Sequence, residues 1–279
     1  MKIAVILPAA GVGARFSAAP GSASKLEQDL GGRPVFLRAV ELFVGRPDVG
    51  CIIVAADPKR IDDFKFRWGD ALGFHGVKIV PGGTRDRWET VLKALAAVED
   101  CSHVAVHDAV RPLATRALVD RVFEAARSFS AVIPGLPVSA TLKRVTDETE
   151  GRADLDPLDA ILGDAGKPGV AVRRVTETLD RTDVIEVQTP QVFDLGLLRR
   201  AYEPLRAGQL DGAGITDDAS LVEALGDPAH PVRVVEGEVT NLKITRADDL
   251  KLAEAIWATL HQEDQKELAK KRLFSDDDE

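Results

Sequence analysis

Cysteine is scarce, and the patterns that would give it a chemical role are missing. Cys51 and Cys101 are the only two in the chain, and both lie in or beside apolar, strand-like runs. A cysteine there acts as a small buried hydrophobe, and two of them exclude a disulfide-stapled scaffold. Cys-x-x-Cys and His-Glu-x-x-His do not occur, and the five histidines form no ligand-spaced cluster, so the common zinc patterns are excluded. No apolar run approaches membrane-spanning length, and no basic stretch with a cleavable apolar segment precedes the first strand. The expectation is a cytoplasmic enzyme with no membrane partner. Positive charge is also in deficit: 36 Lys and Arg against 45 Asp and Glu leave a net charge of −9. Nucleic acid is therefore not an expected partner, because its phosphate backbone needs a basic face. Two phosphate-binding signatures are absent as well. Phe16 stands where a dinucleotide fingerprint needs its third glycine, and no Gly-Lys-Ser/Thr loop occurs anywhere.

What is present is a buried strand, Ile3–Leu7, running into Pro8-Ala9-Ala10-Gly11-Val12-Gly13-Ala14-Arg15. Small residues and glycines allow a backbone to approach a phosphate closely. Arg15 follows the last glycine by two residues, and Lys25 lies ten further on. A cationic loop of this kind suits a nucleoside triphosphate that is attacked, rather than a dinucleotide that is held. Further apolar runs, Cys51–Ala55, Val77–Val80, Val104–Val106 and Ala131–Ile133, alternate with helical patterns. One helix opens at Pro34, a second follows Arg87 and a third spans Thr115 to Arg127. This alternation predicts an α/β fold with a mostly parallel sheet covered on both faces, its ligand at the carboxyl ends of the strands. At 279 residues the chain suits one large domain, or one domain with an appendage.

The rhythm breaks over residues 143–176, where Asp, Gly and Pro accumulate from Asp147 to Pro168. This stretch is expected to leave the core. The sheet pattern resumes at Asp183–Val187 and Val232–Val235. A final helix, Ala247–His261, carries a stripe of Leu250, Ala253, Trp257 and Leu260 behind an approximate Thr245/Asp248 capping box. Beyond His261 a charged, solvated tail is expected.

Five segments together resemble one enzyme family. Besides the opening loop they are Gly82-Gly83-Thr84-Arg85-Asp86-Arg87-Trp88-Glu89-Thr90-Val91, His107-Asp108-Ala109-Val110-Arg111-Pro112 and Gln188-Thr189-Pro190-Gln191. The fifth is Thr216-Asp217-Asp218-Ala219-Ser220, leading to Asn241-Leu242-Lys243-Ile244-Thr245. They are similar, in the same order, to segments of the cytidylyltransferases that make 4-diphosphocytidyl-2-C-methyl-erythritol in the non-mevalonate isoprenoid pathway. The resemblance implies a Rossmann-like, three-layer α/β/α nucleotidyltransferase domain with a projecting dimerisation arm. It places the catalytic domain at 1–262, with the arm at 138–187, an enlarged insert at 144–176 and the charged tail at 263–279.

It also implies residue roles. Arg15, Lys25 and Lys243 would be the catalytic cations. Pro8, Ala9, Ala10, Gly11, Gly13, Gly82, Gly83, Arg87, Thr90, Asp108 and Ala109 would hold CTP. Asp108, Arg111, Thr141, Arg181 and Thr189 would hold the sugar-alcohol phosphate, with Thr141 and Arg181 serving the neighbouring subunit of a homodimer. Mg²⁺ is implied by the triphosphate, with Asp108 as a candidate ligand. The chemistry agrees with the absences: a phosphate nucleophile needs no Ser-His or Cys-His base, so catalysis reduces to positioning and charge neutralisation.

Alternatives stand beside some of these roles. Ala9 and Ala10 alone equally suit tight packing at a strand end, His107 suits a structural role, and Asp217 and Asp218 suit helix capping. Departures from the family pattern are a longer Arg15–Lys25 spacing, Ser24 in place of the usual proline, an additional residue before Arg87 and the enlarged arm. Ribitol-5-phosphate cytidylyltransferase shares most of these features, and a CTP-binding module without turnover is a non-enzymatic alternative. Ala-Ala-Gly in the loop and Thr-Asp-Asp-Ala-Ser favour methylerythritol phosphate.

Overall fold

The computed structural model describes residues 1–11, 24–147 and 172–275, with side chains through 261. The central strand β1 (Ile3–Ala9) is buried on both faces because its side chains are apolar on both. Ile3, Val5 and Leu7 enter one core cluster, while Ala4 and Ile6 enter the other. Such a strand needs helices above and below it.

β1 pairs in parallel with β2 (Val49–Ala56) on one side and β4 (His103–Val106) on the other, and β2 pairs in parallel with β3 (Lys78–Pro81). Beyond β4 come β9 (Gln191–Asp194), β5 (Ala131–Pro137) and β10 (Arg233–Glu236). β9 is antiparallel to both of its neighbours, and β10 is parallel to β5. The sheet is therefore mostly parallel, as expected. Its eighth strand, β8 (Ile185–Val187), lies off this path.

One face is covered by α1 (Val35–Glu41), α2 (Ile61–Phe74), α4 (Arg116–Ala126) and the first part of α7 (Ala247–Ser275). The other carries α3 (Arg87–Leu95), α5 (Leu195–Arg206) and α6 (Asp218–Ala224). Local caps set the helix starts. Thr115 accepts from the Leu118 amide, Asp194 from Leu197 and Asp217 from Ser220.

Three differences from the sequence reading have physical causes. The cap of α7 is Asp249, which accepts from the Thr245 amide, the Thr245 hydroxyl and the Arg246 amide, all within 2.8 Å. Asp248 instead bonds Lys251 at the surface. Residues beyond His261 continue α7 to Ser275, because Gln, Glu, Lys, Leu, Ala and Arg are all good helix formers. α2 has no clear apolar period in the sequence, since only Phe64 and Leu72 are buried in it.

Contacts divide the chain into two units, Met1–Leu136 with Val187–Glu279, and Pro137–Glu186. Within the smaller unit β6 (Leu142–Val145) and β7 (Val175–Leu179) form an antiparallel ribbon, with Leu142 opposite Leu179. The two strands straddle the ends of the stretch without periodicity, and most of their side chains are exposed, so no apolar alternation marks them. The greater part of the enlarged insert, 148–171, lies outside the described residues.

Candidate active site

The chain runs outward from β1 through β2 to β3, then returns to the other side of β1 to make β4. The strand order thus reverses between β1 and β4, and their carboxyl ends leave a crevice there. Ala9, Ala10 and Gly11 stand on one side of it and Asp108 on the other. A cleft of about 320 Å³ opens at this point. Pro8, Ala9, Ala10, Gly11, Lys25, Gly83, Arg87, Thr90, Asp108, Ala109 and Lys243 all line it. Gly13 and Arg15 lie outside the described residues.

The glycine segment borders the cleft through Gly83, while Gly82 is not among the lining residues. A side chain at Gly82 would bring its Cβ to 2.7 Å from the Ala10 Cβ and 2.9 Å from Thr90 Cγ2. One at Gly83 would come within 2.7 Å of the Glu89 Cβ. Glycine at 82 thus lets the segment pass close to Ala10 at the end of β1, and glycine at 83 lets it pass close to the start of α3. Thr90 accepts from the Gly83 amide at 3.0 Å, and the Glu89 carboxylate accepts from the amides of Thr84 and Arg85. The start of α3 thus ties down the loop that precedes it.

Asp108 is the electrostatic centre. Its carboxylate meets Arg87 Nε at 3.1 Å, Lys243 Nζ at 2.8 Å and Arg111 Nε at 3.6 Å. Burial favours the neutral acid, but Arg87, Lys243 and Arg111 outweigh it and hold the carboxyl well below the usual carboxylate range. Arg87 in turn donates through Nη1 to Asp218 at 2.6 Å. Burial disfavours its charge, and Asp218 and Asp108 more than restore it. Arg111 Nη1 donates to the Asn241 carbonyl at 2.6 Å, which joins the turn after β4 to the segment that carries Lys243.

The backbone at Asp108 is set by its neighbours. His107 Nε2 lies 3.1 Å from the Arg111 carbonyl, which can only accept, so Nε2 carries the ring proton. Nδ1 then accepts from the Thr189 hydroxyl at 3.2 Å, and that hydroxyl accepts from the Asp108 amide at 3.1 Å. Thr189 is thus bonded on two sides within the protein. His107 has the structural setting that its sequence context suits.

Arg111, Thr189 and Gln191 line a second polar cavity with Thr216 and Asp217. It shares three residues with the first: Arg87, Asp108 and Lys243. Thr141 and Arg181 belong to the smaller unit and are exposed. Among the described residues, no cluster of metal-ligating side chains includes Asp108. Its oxygens are engaged by cations, and no three His, Cys, Asp or Glu side chains converge among the described residues. Lys59 and Arg85 also line the first cleft and were missed in the sequence. The available signal was a cation in each loop that follows the carboxyl end of a parallel strand. Tyr202, behind Arg87, carries no signal in the sequence, and Asp218 reads there only as a helix cap.

A switch-point crevice with a small-residue loop, a bordering glycine segment and converging cations defines an α/β nucleotidyltransferase. A sequence model of the family "2-C-methyl-D-erythritol 4-phosphate cytidylyltransferase" matches residues 3–158 and 157–259. The chain is 37% identical over 258 residues to the Acidobacterium capsulatum protein of that name, covering 91% of this chain and 96% of the relative. It is also 37% identical over 261 residues to the Solibacter usitatus protein of the same name, covering 91% and 94%. The crystal structure of the Thermus thermophilus enzyme aligns with a TM-score of 0.64 at 32% identity, covering 92% of this chain and 98% of that one. The chain belongs to the 2-C-methyl-D-erythritol 4-phosphate cytidylyltransferase family.

The setting of His107 predicts a pH dependence. Burial lowers its pKa from 6.5 to about 4. The folded state prefers the neutral ring, so this stability is fully present above pH 6.5 and is lost as pH falls from 6.5 toward 4. The loss amounts to about 3 kcal/mol. Urea unfolding across that range should show this component in the natural chain and its absence in His107→Gln. A ring that titrates near 6.5 by NMR in the folded protein would contradict it.

Proposed function

We infer that the chain transfers CMP from CTP to 2-C-methyl-D-erythritol 4-phosphate. A substrate phosphate oxygen attacks the α-phosphorus of CTP, the bond to the β-phosphate oxygen breaks, and pyrophosphate leaves. Membership of the family carries the reaction. The observation that carries the residue roles is the wall shared by the two cavities, made of Arg87, Asp108 and Lys243. A nucleotide in one cavity and a sugar phosphate in the other would react across it.

On this reading the cytosine lies against the main chain at Ala9, Ala10, Gly82 and Gly83, with Thr90 fixing the glycine segment. Lys25, with Arg15, faces the triphosphate, and Lys243 faces the α-phosphate as charge develops there. Arg111 and Thr189 line the acceptor side, with Thr189 acting by holding Asp108. Pro8, Gly11, Gly13 and Ala109 give the triphosphate room. Enzymes of this class generally use a divalent cation. The described residues do not fit a protein-built Mg²⁺ site, so no step is assigned to the metal, and the triphosphate itself is the group whose charge it would offset. A cytoplasmic setting belongs to the same proposal.

A pyrophosphate-release assay tests the reaction. CTP with methylerythritol 4-phosphate should outpace CTP with ribitol 5-phosphate, and should outpace UTP or ATP with either. Lys243→Ala should lower turnover on the order of 100-fold. Faster turnover with ribitol 5-phosphate, or an unaffected Lys243→Ala variant, would overturn the assignment.

We further propose that the unit Pro137–Glu186 is an arm, set in a catalytic domain spanning 1–262, that pairs with a second copy to form a homodimer. The support is physical: an isolated two-stranded ribbon is marginal in water, and Val172, Val175 and Val184 of this unit are 49%, 54% and 38% exposed. Thr141 and Arg181 would then serve the neighbouring copy's acceptor cavity. Arg181→Ala should raise the KM for the sugar phosphate while leaving CTP affinity unchanged, with sedimentation showing a dimer. Unchanged sugar-phosphate affinity, or a monomeric natural chain, would rule the arrangement out.

A further inference from the structure

Behind the wall between the two cavities lies a buried chain of polar contacts to which the reaction assigns no role. Tyr202, on α5, is 1% exposed, and its ring is among the largest fully buried side chains. A phenylalanine would fill that space equally well. The hydroxyl is there to donate to Asp218 Oδ1, at 2.5 Å. Asp218 is itself 0% exposed, and its other oxygen accepts from Arg87 Nη1 at 2.6 Å. A buried carboxylate needs partners on both oxygens to offset the loss of water. Tyr202 and Arg87 supply one each.

The consequence falls on Arg87. A free guanidinium facing Asp108 would turn one edge to it and donate twice. Here only Nε reaches Asp108, at 3.1 Å, because Asp218 holds the opposite side through Nη1. Nη2 is left buried with no hydrogen-bond partner in the protein. Arg87 lines both cavities, so its pairing with Asp218 sets how the guanidinium stands in the wall between them. The unmet Nη2 donor is a cost the fold bears in keeping the guanidinium in this orientation.

We propose that Tyr202 and Asp218 are positioning residues for the transfer step. Together they hold the Arg87 guanidinium so that its Nε holds Asp108 within reach of Lys243. The inference rests on the cytidylyltransferase reading and extends it to two residues that touch no substrate.

The test is a double-mutant cycle in the same pyrophosphate-release assay, with Tyr202→Phe, Arg87→Lys and the pair. Tyr202→Phe keeps the ring and removes only the hydroxyl. It should lower kcat on the order of ten-fold, the scale of one hydrogen bond to a charged group. CTP should still bind with full stoichiometry and little change in affinity. In the Arg87→Lys background the same substitution should have no further effect on kcat, because the group it orients is gone. A merely structural role would give the same fractional loss in either background and would reduce the CTP stoichiometry. Either that pattern or a Tyr202→Phe enzyme with the natural kcat overturns the proposal. Failure of the natural chain to release pyrophosphate from CTP and methylerythritol 4-phosphate would instead overturn the underlying reaction.

Discussion

One buried carboxylate holds the reaction centre together. Asp108, just past the end of β4, draws in Arg87 from α3, Arg111 from the following turn and Lys243 from the segment before α7. Three cations in so small a volume would repel one another without it. An unpaired charge left behind in such a setting costs about 3–5 kcal/mol, so each partner depends on the others. The carboxylate is itself placed by the backbone, through the Asp108 amide, the Thr189 hydroxyl and the neutral His107 ring. The strands fix β4, β4 fixes Asp108, and Asp108 fixes the cations.

The arrangement explains how an acidic protein presents a site for a polyanion. The whole chain carries −9, yet the first cleft is lined by Lys25, Lys59, Arg85, Arg87 and Lys243 against Asp57, Asp86 and Asp108. Five cations against three carboxylates reverse the sign locally, in a crevice with low-dielectric walls that strengthen the field. Part of the positive charge is bound to Asp108, so the cleft keeps an excess for the ligand without exposing a basic face to nucleic acid.

Much of the fold was legible because β1, β2, β4 and β5 are short apolar runs rich in Val and Ile, which their length and β-branching mark as strands covered on both faces. β6 and β7 were not, since a ribbon exposed on both faces has no apolar period. The cap of α7 was misread by one residue, because Asp248 and Asp249 are identical in type and only geometry shows which reaches back to Thr245. In the site, Ala9, Ala10, Gly11, Arg87, Asp108 and Lys243 were legible as separate candidates, and all line the first cleft. Their mutual pairing was not, because Arg87, Asp108 and Lys243 come from separate elements and no helical or strand spacing relates them. Tyr202 illustrates the limit: in sequence it is one more apolar position on an amphipathic helix, and only its hydroxyl's partner distinguishes it.

The measurement that bears most directly on the role of Asp108 is the behaviour of Asp108→Asn, with CTP binding by titration calorimetry and turnover by pyrophosphate release. If the carboxylate organises the cations, the variant will still bind CTP, since losing a negative charge does not weaken attraction for a polyanion. Its turnover will fall on the order of 100-fold or more as Arg87 and Lys243 lose their common anchor. Turnover close to that of the natural chain, or a loss confined to CTP affinity, would contradict the account.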